Sequence, residues 1–297
     1  EAMLSSADGA MYLAKSRGPN SFEYHTPLLN ARAARRLHLE SRLRRTLANE
    51  EFELHFQPVR DTASGRVVGA EALLRWLDAE EGSISPEEFI LLAEETGLIV
   101  PLGEWVLRAA CSQARAWQVA GFRALRMAVN LSGRQVQRGR VAELVERVLN
   151  ETGMSAGHLD LEITESTIMQ NDALTASTFA RLSELGIGLS LDDFGTGYSS
   201  LSHLRRFPLQ RVKIDRSFVA EIPSNRNDSA LTASLISLAH SLRLGVVAEG
   251  VETVEQAEFL RRHGCDELQG FLFSRAVPAD EFVRFLEAEK DVSPSPE

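Results

Sequence analysis

From Phe52 onward the chain alternates two hydrophobic patterns: short runs rich in β-branched residues, and longer stretches whose apolar residues recur every three or four positions. The first kind reads as strands and the second as amphipathic helices. Strands are expected at Phe52–Val59, Val67–Leu74, Arg126–Asn130, Leu159–Thr164, Gly188–Asp192, Arg211–Asp215, Gly245–Glu249 and near Leu268. Helices are expected at Pro86–Glu95, Leu102–Val119, Val141–Glu151, Ala173–Leu185, Ala230–Leu242 and Val254–His263. Regular strand-then-helix alternation points to an α/β fold with a parallel sheet. About eight such strands favour a (β/α)8 TIM-type barrel over an open doubly wound sheet, since these barrels take roughly 250 residues. The first two strands break the rule, because the turn signal Asp61–Gly65, DTASG, is too short for a crossover helix. They are expected to form an antiparallel hairpin.

Composition narrows the class. The 297 residues, 44% hydrophobic and 25% charged, can bury a sizeable core and are ordinary for a globular domain. A net charge of −10 argues against a surface for duplex nucleic acid but leaves room for a small anionic substrate held locally. Cys111 and Cys265 lack metal-type spacing and read as reduced core residues. No stretch approaches the roughly 20 apolar residues of a membrane helix, and no signal-peptide pattern opens the chain. This portion is therefore expected to be cytoplasmic, although the full-length protein can still be membrane-anchored. The opening segment lacks an initiating Met and reads as the interior of a longer chain.

The chemistry gathers where the apolar runs end. In Leu189–Ser200, LSLDDFGTGYSS, the adjacent carboxylates Asp192 and Asp193 close a strand and lead into a glycine-rich loop. Two such anions at the end of a buried strand repel each other and lose hydration, so a hard cation, a shared proton or a basic partner must offset the cost. Similar runs deliver Glu71, Asn130, Glu162 with Glu165, Lys213 with Asp215, and Glu249 with Glu252. Barrel active sites lie at the C-terminal ends of the strands, where Asn130, Asp192 and Glu249 fall.

The strings FQP, EALLRW, ISPEEFILLAEETGLI, VNLS, LEITES, LDDFGTGYSSL, VKID, VVAEGVET and QGFLFS occur in this order. Together, from about Leu54 through Pro278, they closely resemble the EAL domains, cyclic-di-GMP phosphodiesterases named for the tripeptide found here as Glu71-Ala72-Leu73. The resemblance implies hydrolysis of one phosphodiester of cyclic-di-GMP to linear pGpG, with two divalent cations, Mg2+ or Mn2+. It places Glu71, Asn130, Glu162, Asp192, Asp193 and Glu249 around the metals, oxygen donors of the type these ions prefer. Glu71 and Glu249 would also serve catalysis there, with Lys213 beside the attacking water, either as an ammonium or as a base of lowered pKa. Gln57, Arg75, Asp215 and Gln269 would bind the substrate or border its groove. Glu165 would anchor the loop Phe194–Ser200, which positions Asp192 and Asp193 and contributes to a homodimer contact.

The segment Leu4–Pro27 resembles the closing helix and last strand of a GGDEF domain, without the GGDEF signature, so an upstream GGDEF-like domain is expected in the full-length protein. The expected organisation is a remnant of that domain over 1–27, a connecting helix over 28–50, the barrel over 51–290 and a disordered tail over 291–297.

Several residues read more simply. Glu252 is expected to be structural, as lone charges usually are. Trp76, Trp105 and Trp117 fit core packing, and His203 fits a surface or packing role. Departures from the family pattern are His203, Arg243, Phe271 in place of Tyr and Ala276 in place of Pro; none removes an expected metal ligand. A catalytically silent cyclic-di-GMP receptor is the rival reading, and an unrelated metal-dependent barrel enzyme the third.

Overall fold

The computed structural model describes residues 27–78, 81–122, 125–138, 140–169, 173–196 and 206–291. Ten strands form one sheet: β1 (Glu53–Asp61), β2 (Val67–Asp78), β3 (Gly82–Ile84), β4 (Arg126–Asn130), β5 (Leu159–Thr164), β6 (Gly188–Phe194), β7 (Arg211–Ile214), β8 (Gly245–Ala248), β9 (Glu267–Leu268) and β10 (Val277–Pro278). Eight of these close into a barrel in the order β1-β2-β4-β5-β6-β7-β8-β9, with β9 returning to β1. Strand β1 runs antiparallel to both neighbours, and the successive pairs from β2–β4 to β8–β9 are parallel. The fold is thus a (β/α)8 barrel opened by an antiparallel hairpin. Its turn is held by Asp61, whose carboxylate accepts from the backbone N–H of Ser64 at 2.7 Å and from the Ser64 hydroxyl at 2.5 Å.

The helices are α1 (Pro27–Asn49), α2 (Pro86–Thr96), α3 (Ile99–Val119), α4 (Gly133–Gln137), α5 (Val141–Thr152), α6 (Glu165–Met169), α7 (Ala173–Glu184), α8 (Arg216–Val219), α9 (Arg226–Ser241), α10 (Val254–Arg262) and α11 (Ala279–Asp291). Local chemistry sets their ends. Pro86 and two glutamates open α2, and Gly97 closes it in the left-handed conformation at φ 76°. Thr253 and Gln256 cap α10 reciprocally. The short elements β3, β10, α4, α6 and α8 and the whole of α11 were not read from the pattern, and Asp291, assigned to a tail, ends α11. The GGDEF-like segment up to residue 26, His203, the loop from Gly197 and residues 292–297 lie outside the described residues.

Two hydrophobic clusters hold the molecule. One packs the helices around the barrel, with Phe56, Trp117 and Phe282 stacked or edge-on at its seam. The other lies under α1, where Leu39 and Leu43 meet Phe52, Trp76 and Phe89. Arg42 pairs there with Asp78 and with Glu81. Arg35 reaches Glu88 on α2 at 3.0 Å, so α1 is clamped to the outer side of α2. Cys111 and Cys265 are buried free thiols, which burial pushes up to about 12.

At the N-terminal end the barrel is plugged by ions. Arg126 pairs with Glu267 and, at 3.4 Å, with Asp160; Arg211 reaches Asp160 at 3.3 Å, and the Ser190 hydroxyl donates to it at 2.8 Å. At the opposite mouth Gly270 threads so closely past Val251 that a Cβ would collide with that residue's backbone. Gly270→Ala is expected to cost at least the upper end of the about 1–3 kcal/mol typical of overpacking, and to displace the adjacent Gln269. Urea denaturation checks this, and stability equal to the parent would contradict it.

Candidate active site

Register brings the polar positions to one mouth. Gln57 lies opposite Glu71 across the β1–β2 hairpin, and Asn130 lies opposite Glu162 between β4 and β5. The β6–β7 register shifts between Leu191 and Phe194, so Asp192 and Asp193 occupy an irregular segment. Asp193 takes a left-handed φ of 56°, a conformation that Asp tolerates better than bulkier residues, and its N–H donates to the Asp192 carboxylate at 3.0 Å. This break in pleating lets two consecutive acids serve one face.

Lys213, 2% exposed, rises into the centre from β7. Its Nζ lies 2.6 Å from Glu249, 2.7 Å from Glu162, 3.2 Å from Glu71 and 3.8 Å from Asp192. Glu71 also accepts from Asn130 at 2.8 Å and from Gln269 at 2.6 Å. Gln269 donates to Gln57 at 3.0 Å, and Gln57 donates to the Ser274 carbonyl at 3.1 Å. Eight expected residues therefore form one contiguous polar cluster.

The electrostatics are uneven. Burial opposes the charge of Lys213, but Glu162, Glu249, Glu71 and Asp192 outweigh it and hold the ammonium well above the ordinary lysine range. Burial likewise opposes the charge of Glu71, yet Lys213 and the amides of Gln269 and Asn130 keep its carboxyl below the usual range. Burial first, and then the charge of Glu71, pushes Glu162 well up. Glu249 is raised to about 7 by burial, against Lys213 and with help from Asp192 and Glu71. One ammonium does not balance four carboxylates.

Above the cluster opens a cavity of about 710 Å³, lined by Glu71, Asn130, Asp192, Asp193 and Glu249 on the barrel side. Its far walls carry residues that pattern reasoning did not assign: Ile90 and Glu94 on α2, and Arg216 at the start of α8. Glu252 and Phe271, read as structural and as a departure, line it too. Ile90, Glu94 and Phe271 lie within the strings that carry the family resemblance, but periodicity alone gives them no role, because α2 has an ordinary amphipathic pattern and the barrel closure brings its second face over the mouth. Two expected substrate residues stand apart. Arg75 donates to the Leu74 carbonyl at 3.0 Å and lines an adjoining cavity, and Asp215 caps α8 by accepting from the Ser217 N–H at 3.0 Å. Glu165 is buried at the start of α6, and neither carboxylate oxygen has a hydrogen-bond partner among the described residues. Trp76 and Trp117 are buried and Trp105 packs beside them, all in the core.

The chain matches the EAL domain over residues 40–276. It is 42% identical over 295 residues to the cyclic di-GMP phosphodiesterase NbdA of Pseudomonas aeruginosa, covering 99% of this chain and 38% of that protein. It is 42% identical over 284 residues to the cyclic di-GMP phosphodiesterase PdeR of Escherichia coli, covering 96% of this chain and 43% of that one. Among solved structures, the PaMucR phosphodiesterase in complex with c-di-GMP superposes with a TM-score of 0.79 at 44% identity, over 82% of this chain and 99% of that one. The chain thus spans about two-fifths of the length of these curated relatives.

The geometry at Lys213 sets the consequence of its loss. Lys213→Met leaves buried carboxylates without their counter-ion and is expected to lower stability by about 3–5 kcal/mol. Denaturant titration in EDTA measures it; a change within about 0.5 kcal/mol, the range of ordinary surface substitutions, would show that these ion pairs contribute nothing net.

Proposed function

The chain belongs to the EAL-domain family, and from that membership and the acidic mouth we propose that it hydrolyses one phosphodiester bond of cyclic-di-GMP to linear pGpG with two divalent cations, Mg2+ or Mn2+. The observation that carries the reading is the convergence of Glu71, Glu162, Asp192 and Glu249 on Lys213, with Asn130 bonded to Glu71, beneath a cavity of about 710 Å³.

The residues fit such ions. Every candidate donor is a carboxylate or amide oxygen, the set that hard divalent cations take, and the surplus of carboxylates over ammonium leaves negative charge to be neutralised. Among the described residues no three Asp, Glu, His or Cys side chains already stand as a coordinating group, and the Lys213 ammonium holds their centre. Glu71, Asn130, Glu162, Asp192, Asp193 and Glu249 are the proposed ligands. Bound there, the ions supply Lewis acidity toward the phosphate and an activated water.

The chain's own groups do the rest. Lys213 enters the reaction as an ammonium, because three carboxylates lie within 3.2 Å of it. It orients the attacking water and stabilises the charge that develops on the phosphorane oxygens. Gln269 and Asn130 fix both oxygens of Glu71, so that this carboxylate cannot rotate away. Gln57 secures Gln269 in turn. Arg75 is assigned to a substrate contact in the adjoining cavity, and Asp215 to the groove border beside Asp193. Glu165 is proposed as the anchor of the loop after Phe194: a buried carboxylate with two unpartnered oxygens calls for donors. A homodimer through the barrel, an upstream GGDEF-like domain in the longer protein and action in the cytoplasm belong to the same proposal. Among the described residues no helix is long and apolar enough to cross a membrane.

The deciding experiment is chromatography of products from cyclic-di-GMP with Mg2+ or Mn2+. Conversion to pGpG is expected, and EDTA or Glu71→Ala is expected to reduce it by about a thousandfold or more, since metal stabilisation of the transition state is worth several kcal/mol. Tight binding with no conversion would instead make the domain a receptor. Glu165→Ala is expected to weaken Mg2+ binding and turnover while the barrel still unfolds cooperatively; an unchanged rate and Mg2+ dependence would refute the anchoring role.

A further inference from the structure

Beside the mouth lies a second cavity of about 450 Å³ that shares Leu73, Pro86, Ile90, Glu94 and Asn130 with the first. Its walls are largely aliphatic, with Ile99, Leu102, Val106 and Leu131 among them; Arg75, Glu94, Ser132 and Gln135 line it on one side, and Asn130, Glu162 and Thr164 where it borders the acidic cluster. An apolar cavity with a few placed polar groups is the usual form of a small-molecule subsite.

Glu94 is the unexplained group. It is half-buried on the inner side of α2 and its carboxylate pairs with no cation among the described residues, Arg134 reaching only its backbone carbonyl. One oxygen is held, because Ser132 donates its hydroxyl to Oε1 at 2.8 Å. Ser132 is itself fixed, its hydroxyl accepting from the Arg134 N–H at 3.2 Å and its own N–H donating to the side-chain amide oxygen of Gln135 at 3.0 Å. Gln135 is buried against Gly103, where any Cβ would collide with its amide. The second Glu94 oxygen is left without a protein donor among the described residues. A carboxylate so positioned is an acceptor waiting for N–H groups.

We propose that Glu94 is a specificity-determining residue that reads the Watson–Crick edge of one guanine of the substrate in this second cavity. The inference rests on the cyclic-di-GMP reading above. Guanine offers two adjacent donors, N1–H and the 2-amino group, to a carboxylate, and two acceptors, O6 and N7, to a guanidinium. Glu94 and Arg75 supply these complementary types around one apolar slot, and Arg75 makes no ion pair among the described residues that would compete. Adenine presents a ring acceptor at N1 and would set a lone pair against the Glu94 carboxylate. Shared walls let one base enter this slot while the linked phosphate stays over the acidic cluster.

The test is titration calorimetry in EDTA, where turnover does not interfere, using cyclic-di-GMP and its inosine analogue, which lacks only the 2-amino groups. The wild type is expected to prefer the guanine compound by about tenfold to a hundredfold, the range for losing a hydrogen bond to a charged group. Glu94→Gln keeps an acceptor for Ser132, and is expected to bind both compounds alike, near the wild-type affinity for the inosine analogue. If the variant weakens both equally and keeps the preference, or changes neither, Glu94 is not the reader. Should the variant not fold, a wild type that binds both compounds equally overturns the proposal alone. A wild type that binds neither compound in EDTA, and neither binds nor converts cyclic-di-GMP with Mg2+, overturns the functional reading with it.

Discussion

The constraint on which the rest of the site depends is the burial of one ammonium among four carboxylates. Lys213 Nζ lies within 3.2 Å of Glu71 on β2, Glu162 on β5 and Glu249 just after β8. None of these acids could stand in the closed mouth at full charge without it, because desolvation of an unpaired carboxylate exceeds what packing around it returns. The amides then act on geometry more than on charge. Asn130 and Gln269 each bond one oxygen of Glu71, and Gln57 ties Gln269 to the segment at Ser274. A site assembled from six strands is thereby held by one network whose members restrict one another.

The barrel supplies registers, and its first helices supply the outer wall. Helix α2 turns Leu92 and Phe89 toward the cluster under α1 and presents Ile90 and Glu94 to the mouth. The same helix is tied outward by Arg35 to Glu88 and inward by Ser132 to Glu94. Its position is thus shared between α1 and the loop that follows Asn130, so the width of the groove depends on contacts on both sides. Rigid positioning of this kind is what lets a half-buried glutamate present an oxygen to a ligand without losing it to a neighbouring cation.

Much of this was legible in the chain. Strands with a period of two and helices with a period near 3.6 were placed to within a few residues, and the short DTASG turn correctly marked the antiparallel exception. The acids stood out because polar residues at the ends of apolar strands cost energy that a cation, a shared proton or a basic partner must offset. What escaped detection depends on tertiary closure. The two-residue strand β10 is too short to show a period and its pairing with β1 is long-range, whereas α11 is amphipathic and was legible in principle. Glu94 and Arg216 look like ordinary surface charges on helices, and only the fold turns them toward the cavity. Arg75 and Asp215 stand outside the central cluster, one lining the adjoining cavity and the other capping a helix, positions that the strand pattern alone does not give.

The two ends of the barrel show why the mouth, and not merely the presence of buried charge, marks function. At the N-terminal end Arg126 and Arg211 face Asp160 and Glu267, two cations against two anions, with Ser190 adding a neutral donor. Charges there cancel, the space left among them is small, and the arrangement closes the barrel. At the C-terminal end a single ammonium faces Glu71, Glu162, Asp192 and Glu249 under a large opening. Both ends bear the cost of dehydrating ions, but only one leaves it unbalanced. An excess of oxygen donors with access to solvent is unstable by itself and becomes favourable when a cation and an anionic ligand arrive together. The asymmetry of compensation therefore separates the structural ion network from the proposed active site within the same sheet.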